Sequence, residues 1–259
     1  NILNKLGISF TVVHGGGPRI KRELDKQKIE SKFINGLRVT DKKIINIVEE
    51  VLIDFNLDIV NSLNKNGLAA VSIHTRSNNI IEVKPGKEEL GFVGIPDKIN
   101  TNFIDEILNQ NKIPIVAPLG LDSNNQTFNI NADTAASAIA KKLRSRRLLL
   151  MTNVEGVYDD KKTLISEIKP FDLENLIKWK VVQGGMIPKM NFGYSNQVGD
   201  VFLNPYEAPL KNPGFFPTTG DPRGVPINVR TQGYDTNYSQ IGILTRKTSC
   251  STQYIQYPF

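Results

Sequence analysis

Three consecutive glycines, Gly15, Gly16 and Gly17, stand between a β-branched run at 9–14 and Pro18. Bare backbone at such a point lets N–H groups approach an anion, and the start of a following helix adds favourable potential. A plain flexible turn would use the same residues, so the motif alone leaves both readings open. His14 completes a His-Gly-Gly-Gly string of the kind that also forms esterase oxyanion loops. That chemistry requires a Gly-x-Ser-x-Gly elbow, and none occurs: Gly193-Tyr194-Ser195 is followed by Asn196 and Gln197.

Three further constellations carry chemical potential. In Gly36-Leu37-Arg38-Val39-Thr40-Asp41, an arginine between a turn glycine and a helix cap can offer its planar fork to a carboxylate; it can equally be a solvated surface charge. In Asn129-Ile130-Asn131-Ala132-Asp133-Thr134-Ala135-Ala136, small residues permit close packing at a helix start, with Asp133 in the first turn. An ordinary N-cap with amide turn residues fits that string as well. In Gly184-Gly185-Met186-Ile187-Pro188-Lys189, the ammonium at a helix start opposes the dipole, which points to an anion nearby.

The elements that must position these residues alternate between strand and helix. Strands are expected at 9–14, 69–73, 80–83, 113–117 and 148–152, the last two being continuous apolar runs of the fully buried type. Helices are expected at 18–28, from an Asp41 cap to about 57, from a Thr101 cap to 109, and over 133–143. Ile44, Ile45, Val48, Val51 and Leu52 form the apolar face of the second. This rhythm predicts an α/β fold, a mainly parallel sheet covered on both faces, with ligands beyond the carboxyl ends of the strands.

The 259 residues, 39% of them hydrophobic, suffice for one large α/β domain or a domain with an appendage. A single Cys excludes a disulfide framework and any Cys-based zinc site, and it suits a reducing, cytoplasmic compartment. No apolar run approaches a membrane span, and the net charge of +6 is scattered, so neither a membrane nor a nucleic-acid partner is expected. Composition breaks near residue 190. Residues 1–190 hold 7 Pro and 13 Gly; the last 69 hold 7 of each and six of the seven Tyr, which divides the chain into 1–190 and a tail at 191–259.

Taken together and in order, VVHGGGPRI, GLRVTD, IPIVAPLG, NINADTAASAIA, LLLMTNVEGV and GGMIPK are specific. From Asn1 to Lys189 the chain closely resembles the acetylglutamate kinases of the amino-acid kinase family. The resemblance implies a three-layer αβα sandwich that moves the γ-phosphoryl of Mg-ATP (cofactors ATP and Mg2+) onto the side-chain carboxylate of N-acetyl-L-glutamate, in arginine biosynthesis. It implies that Gly15, Gly16 and Gly17 serve the transferring phosphoryl, that Arg38 holds the α-carboxylate beside Asn129, and that Asp133 orients the catalytic lysines. Lys189 would neutralise the ATP phosphates, and Thr152, Asn153, Gly156 and Val157 would line the nucleotide side. A homo-oligomer is compatible with the family.

The family pattern is not matched everywhere. Its opening strand carries a Lys-x-Gly-Gly motif, whereas this chain starts at Asn1 on what reads as a helix end; Lys5 has no glycine pair after it. Asn153 stands where relatives commonly have Asp. After Lys189 the family's closing helix and strands give way to an unrelated tail, Pro-, Gly- and Tyr-rich, expected to be irregular, with short strands at 227–229 and 240–245. A truncated, impaired kinase is therefore the expectation. The alternatives are a non-catalytic ligand-binding relic, or a viral interaction protein defined by the tail, which weakly resembles a protein type of large DNA viruses.

Overall fold

The β-branched run forms strand β1 (Ile8–His14), and its alternation decides which layers the sheet separates. Thr11 and Val13 are buried on one face, while Phe10 and Val12 pack on the other against a cluster that includes Val60 and Ile115. The computed structural model describes residues 8–151, 157–159, 161, 163, 165, 173–179, 200–203 and 241–247. Helix α1 (Gly17–Lys26) follows β1 directly, with Pro18 in its first turn, where a missing N–H costs nothing. Next come the short strands β2 (Phe33–Ile34) and β3 (Leu37–Arg38). Asn35 and Gly36 between them have φ of 50° and 80°, which gives a two-residue hairpin its required left-handed backbone.

Helix α2 (Lys42–Lys65) starts where its cap was expected: the Asp41 carboxylate accepts from the N–H groups of Lys43 and Ile44, both at 2.8 Å. It runs well beyond the expected end near 57. Val60 and Leu63 continue its apolar stripe and pack on β4 (Ala70–Ile73) and β7 (Ile113–Val116), so tertiary contact extends the helix. Helix α3 (Asn102–Asn109) differs in its cap. Thr101 makes no side-chain cap bond, and instead Asn100 Oδ1 accepts from Asn102 N–H at 3.1 Å. Helix α4 (Ala132–Lys142) leads into strand β10 (Arg147–Met151).

Helices α1 and α2 cover one face of the main sheet, and α3 and α4 cover the other; this is the expected three-layer α/β arrangement. Strands β4, β7 and β1 are mutually parallel, as are β10 and β11 (Asp200–Leu203). A second, four-stranded sheet was not expected. It consists of β5 (Ile81–Pro85), β6 (Gly94–Ile99), β8 (Leu119–Leu121) and β9 (Thr127–Asn129), ordered β6-β5-β8-β9. Strand β5 falls on the strand expected at 80–83; the other three are short, and so read weakly against the longer helical stripes.

The described parts of 191–259 are both strands of the main sheet. Strand β12 (Ile241–Lys247), near the expected 240–245, lies between β1 and β10 and is antiparallel to both, within the order β11-β10-β12-β1-β7-β4. The strand expected at 227–229 lies outside the described residues. Ile243 pairs with Val12 on one side and Leu149 on the other, so proline there must break a ladder. Ile243→Pro is expected to cost about 2–3 kcal/mol, or roughly 5–10 °C of thermal midpoint. An unchanged midpoint in calorimetry would show that 241–247 does not complete the sheet.

Candidate active site

The carboxyl end of β1 opens directly into the glycine loop, and Gly16 is the N-cap of α1 without any side-chain cap bond. The first-turn N–H groups of that helix have no partner within the helix. A Cβ at 16 would sit 2.5 Å from Leu52 Cδ2, the tip of a buried side chain of α2 that would have to shift to admit it. The loop thus rests on the long helix as bare backbone, with Leu52 close beneath it.

Below the loop is a buried polar cluster. His14 is fully buried, its Nδ1 3.0 Å from the Gly15 carbonyl oxygen and its Nε2 3.0 Å from Asn56 Nδ2. Asn56 also donates to the Ile115 carbonyl at 3.0 Å and accepts from Ser72 Oγ at 2.5 Å. Phe55 meets the His14 ring edge-on at 5.1 Å, and the Arg19 guanidinium lies 4.0 Å over Phe55 while pairing with Asp58 at 2.6 Å. Burial pushes the His14 pKa down from 6.5 to about 4; the bond to Gly15 opposes this and the charge of Arg19 adds to it.

Arg38, at the end of the hairpin, is 8% exposed. Its guanidinium donates to Ser31 Oγ and, at 3.4 Å, to the Gly17 carbonyl, and stacks 4.6 Å from the exposed Phe33 ring. The hydrogen bonds it makes among the described residues go to neutral oxygens, so the charge is desolvated without a carboxylate bound to it. Burial accordingly holds its pKa below the ordinary arginine value, with Asp25 opposing. A buried cation in that state favours an anionic ligand.

Asn129 ends β9 and donates to Thr40 Oγ1 at 3.2 Å, and Thr40 Oγ1 donates to the Arg38 carbonyl at 2.9 Å, so the two candidate binding residues share one chain of bonds. Strand β9 is itself tied to α2 through Glu49, which accepts from Thr127 Oγ1 at 3.0 Å, Thr75 Oγ1 at 2.6 Å and Arg76 at 3.0 Å. Burial alone would raise the Glu49 pKa; these bonds outweigh it and hold the carboxyl below its ordinary value. Asn131 caps α4, its Oδ1 accepting from Asp133 N–H at 3.0 Å and Thr134 N–H at 3.1 Å.

These elements enclose a cleft of about 420 Å³, lined by Gly15, Gly16, Gly17, Arg38 and Asn129 together with Lys21, Phe33, Val93 and Asn131. That volume suits a small ligand. Asp133 is buried and follows the lining Ala132 in the chain, but is not itself among the lining residues. Val157 is buried but not among the lining residues, and Thr152, Asn153, Gly156 and Lys189 lie outside the described residues.

Residues 1–194 match the model of the amino acid kinase family. The chain belongs to the amino acid kinase family. It is similar to the acetylglutamate kinase of Pelagibacter ubique (strain HTCC1062), with 53% identity over 189 residues, 73% of this chain and 66% of that protein. The acetylglutamate kinase of Clostridium acetobutylicum is 42% identical over 199 residues, covering 73% of this chain and 68% of that protein. Among solved structures, smu.665 from Streptococcus mutans UA159 superimposes with a TM-score of 0.70 at 32% identity, over 74% of this chain and 80% of that one. Giardia carbamate kinase shares the fold at a TM-score of 0.54 and 17% identity. The chain thus spans about two thirds of the length of these acetylglutamate kinases.

The bond between His14 and Asn56 beneath the loop, and the place of Lys21 and Phe33 in the lining of the cleft, were not legible in the sequence. A histidine before a glycine run was the one signal available for the first of them. Two outcomes follow from the contacts. Gly16→Ala is expected to cost about 1–3 kcal/mol in urea unfolding by overpacking on Leu52, and the Gly16→Ala/Leu52→Ala double variant to lose less than the sum of the single losses; additive losses would exclude the contact. Because folding lowers the His14 pKa, its neutral form stabilises the protein fully above pH 6.5, and this is lost as pH falls toward 4. Unfolding measured from pH 7 to 4 should show a decline on the order of 3 kcal/mol from this group, and a flat profile would contradict it.

Proposed function

We propose that the chain carries out, or forms the substrate-binding body for, ATP-dependent phosphorylation of the side-chain carboxylate of N-acetyl-L-glutamate in arginine biosynthesis. The observation that carries this reading is the desolvated Arg38 guanidinium, facing the same cleft as the bare glycine loop. One feature suits the α-carboxylate of an acyl amino acid, the other a transferring phosphoryl.

The acceptor carboxylate is ionised at neutral pH, so no general base is required. One of its oxygens forms the bond to γ-phosphorus as the bond to the β-γ bridging oxygen breaks, giving an acyl phosphate and ADP. Phosphoryl transfer of this kind depends on positioning and charge neutralisation. In this reading Arg38 and Asn129 hold the acceptor, and the N–H groups of Gly15, Gly16 and Gly17 meet the equatorial oxygens. Lys189 neutralises the phosphates, Asp133 orients it, and Thr152, Asn153, Gly156 and Val157 border the nucleotide.

Among the described residues no group of three or more His, Cys, Asp or Glu could hold a metal ion. The proposed Mg2+ belongs to the Mg-ATP substrate. No helix among the described residues is long and apolar enough to cross a membrane. A cytoplasmic setting, where the single thiol stays reduced, belongs to the same proposal.

The test is calorimetric titration of the chain with N-acetyl-L-glutamate, alongside ATP-dependent hydroxamate formation. Arg38→Ala is expected to weaken N-acetyl-L-glutamate binding by about 10- to 100-fold, the loss of a charge-assisted pair. Absence of binding by the unaltered chain, or equal binding by the variant, overturns the reading.

A further inference from the structure

The orientation of the Asn56 amide fixes the protonation of a histidine that does not line the cleft. Asn56 Nδ2 lies between two acceptors, the Ile115 carbonyl and His14 Nε2, while Asn56 Oδ1 receives the Ser72 hydroxyl. Turning the amide over would set its oxygen against the Ile115 carbonyl and its NH2 where Ser72 now bonds. Nε2 must therefore accept, which leaves the ring proton on Nδ1, donating to the Gly15 carbonyl oxygen. Because carbonyl and N–H of one trans peptide point in opposite directions, anchoring the Gly15 carbonyl beneath the loop turns the Gly16 N–H away from the ring. Gly16 lines the cleft, and His14 does not.

We propose that His14 is a positioning residue: through its Nδ1–H it holds the Gly15–Gly16 peptide so that the Gly16 N–H is presented to an anionic group in the cleft. The proposal deepens the kinase reading and rests on it for the identity of that anion. Its physical basis is preorganisation. Glycine peptides rotate more freely than any others, and a donor that must first be ordered contributes less to binding. The anchor itself is immobilised from α2 by Asn56 and by the Phe55 ring, which the Arg19–Asp58 pair covers. A neutral imidazole serves this role throughout the physiological range, since burial resists its protonation and Arg19 is the charged group nearest to it by effect.

Two conservative variants separate the two ring nitrogens. In His14→Asn the side-chain amide NH2 falls near the Nδ1 position and can still donate to Gly15, while the bond from Asn56 is lost. In His14→Gln the side-chain oxygen falls near Nε2 and can still accept from Asn56, while the donor to Gly15 is lost. With Mg-AMP-PNP and N-acetyl-L-glutamate as the probes, His14→Gln is expected to lose about tenfold in affinity and His14→Asn to stay close to the unaltered chain. A scaffold role alone would move both equally. Amide NMR supplies a readout that needs no ligand: the Gly16 resonance should shift in His14→Gln and be retained in His14→Asn. With only two histidines in the chain, the long-range 15N spectrum reads the tautomer of His14 directly. An Nε2–H tautomer, or equal shifts of Gly16 in both variants, overturns the proposal. If the unaltered chain binds neither probe, the kinase reading falls instead, and the amide and tautomer signals still decide the role of His14.

Discussion

The contact between helix α2 and the underside of the glycine loop is the constraint on which the rest of the site depends. Leu52 and Asn56 lie one turn apart on that helix and therefore face the same way. The first would have to shift to admit a side chain at Gly16, and the second bonds the ring that lies against the Gly15 carbonyl. An apolar contact thus sets how close the loop comes, and a hydrogen-bonded one sets how its peptides are turned. Asn56 is a fully buried polar residue inside an otherwise apolar stripe, and its three bonds offset the desolvation that such a position costs.

The same helix reaches the other wall of the cleft. Glu49, nearly two turns before Asn56, gathers hydroxyls from Thr75 and Thr127 and so ties the second sheet to the body. Asn129 is at the end of the tethered strand, and its bond to Thr40 passes on to the backbone of Arg38. The glycine loop, Arg38 and Asn129 are consequently tied to one helix. Arg38 is held by neutral oxygens and an aromatic face, which orient the guanidinium while leaving its charge available.

Much of this organisation was legible beforehand. The parallel strands β1, β7 and β10 announce themselves as short β-branched or aliphatic runs, and Asp41 and the Asn131–Asp133 string mark helix starts by local hydrogen-bonding chemistry. Of the second sheet only β5 was legible, as the strand expected at 80–83; its partners are three to six residues long and become strands only by pairing, and the sequence did not place β5 in a sheet of its own. Thr101 illustrates a smaller failure: neighbouring Asn100 competes for the same helix end and has the carbonyl in reach. The place of 241–247 between β1 and β10 could not be read either, since a strand pattern says nothing about which edges it will bridge.

By itself, the sequence determined which residues could do chemistry, because those choices are local. Three glycines without side chains, an arginine beside a turn and an asparagine at a helix start each state their capacity through covalent structure alone. Only the tertiary structure decided that they face one cleft, that Asn129 is bonded to Thr40, and that Asn56 of the long helix bonds the ring of His14. Those properties depend on burial and on partners 42 to 89 residues away in the chain, as in the His14–Asn56 and Thr40–Asn129 bonds. Charge and hydrogen-bond energetics follow the surroundings of a group, and the surroundings exist only once the layers have packed.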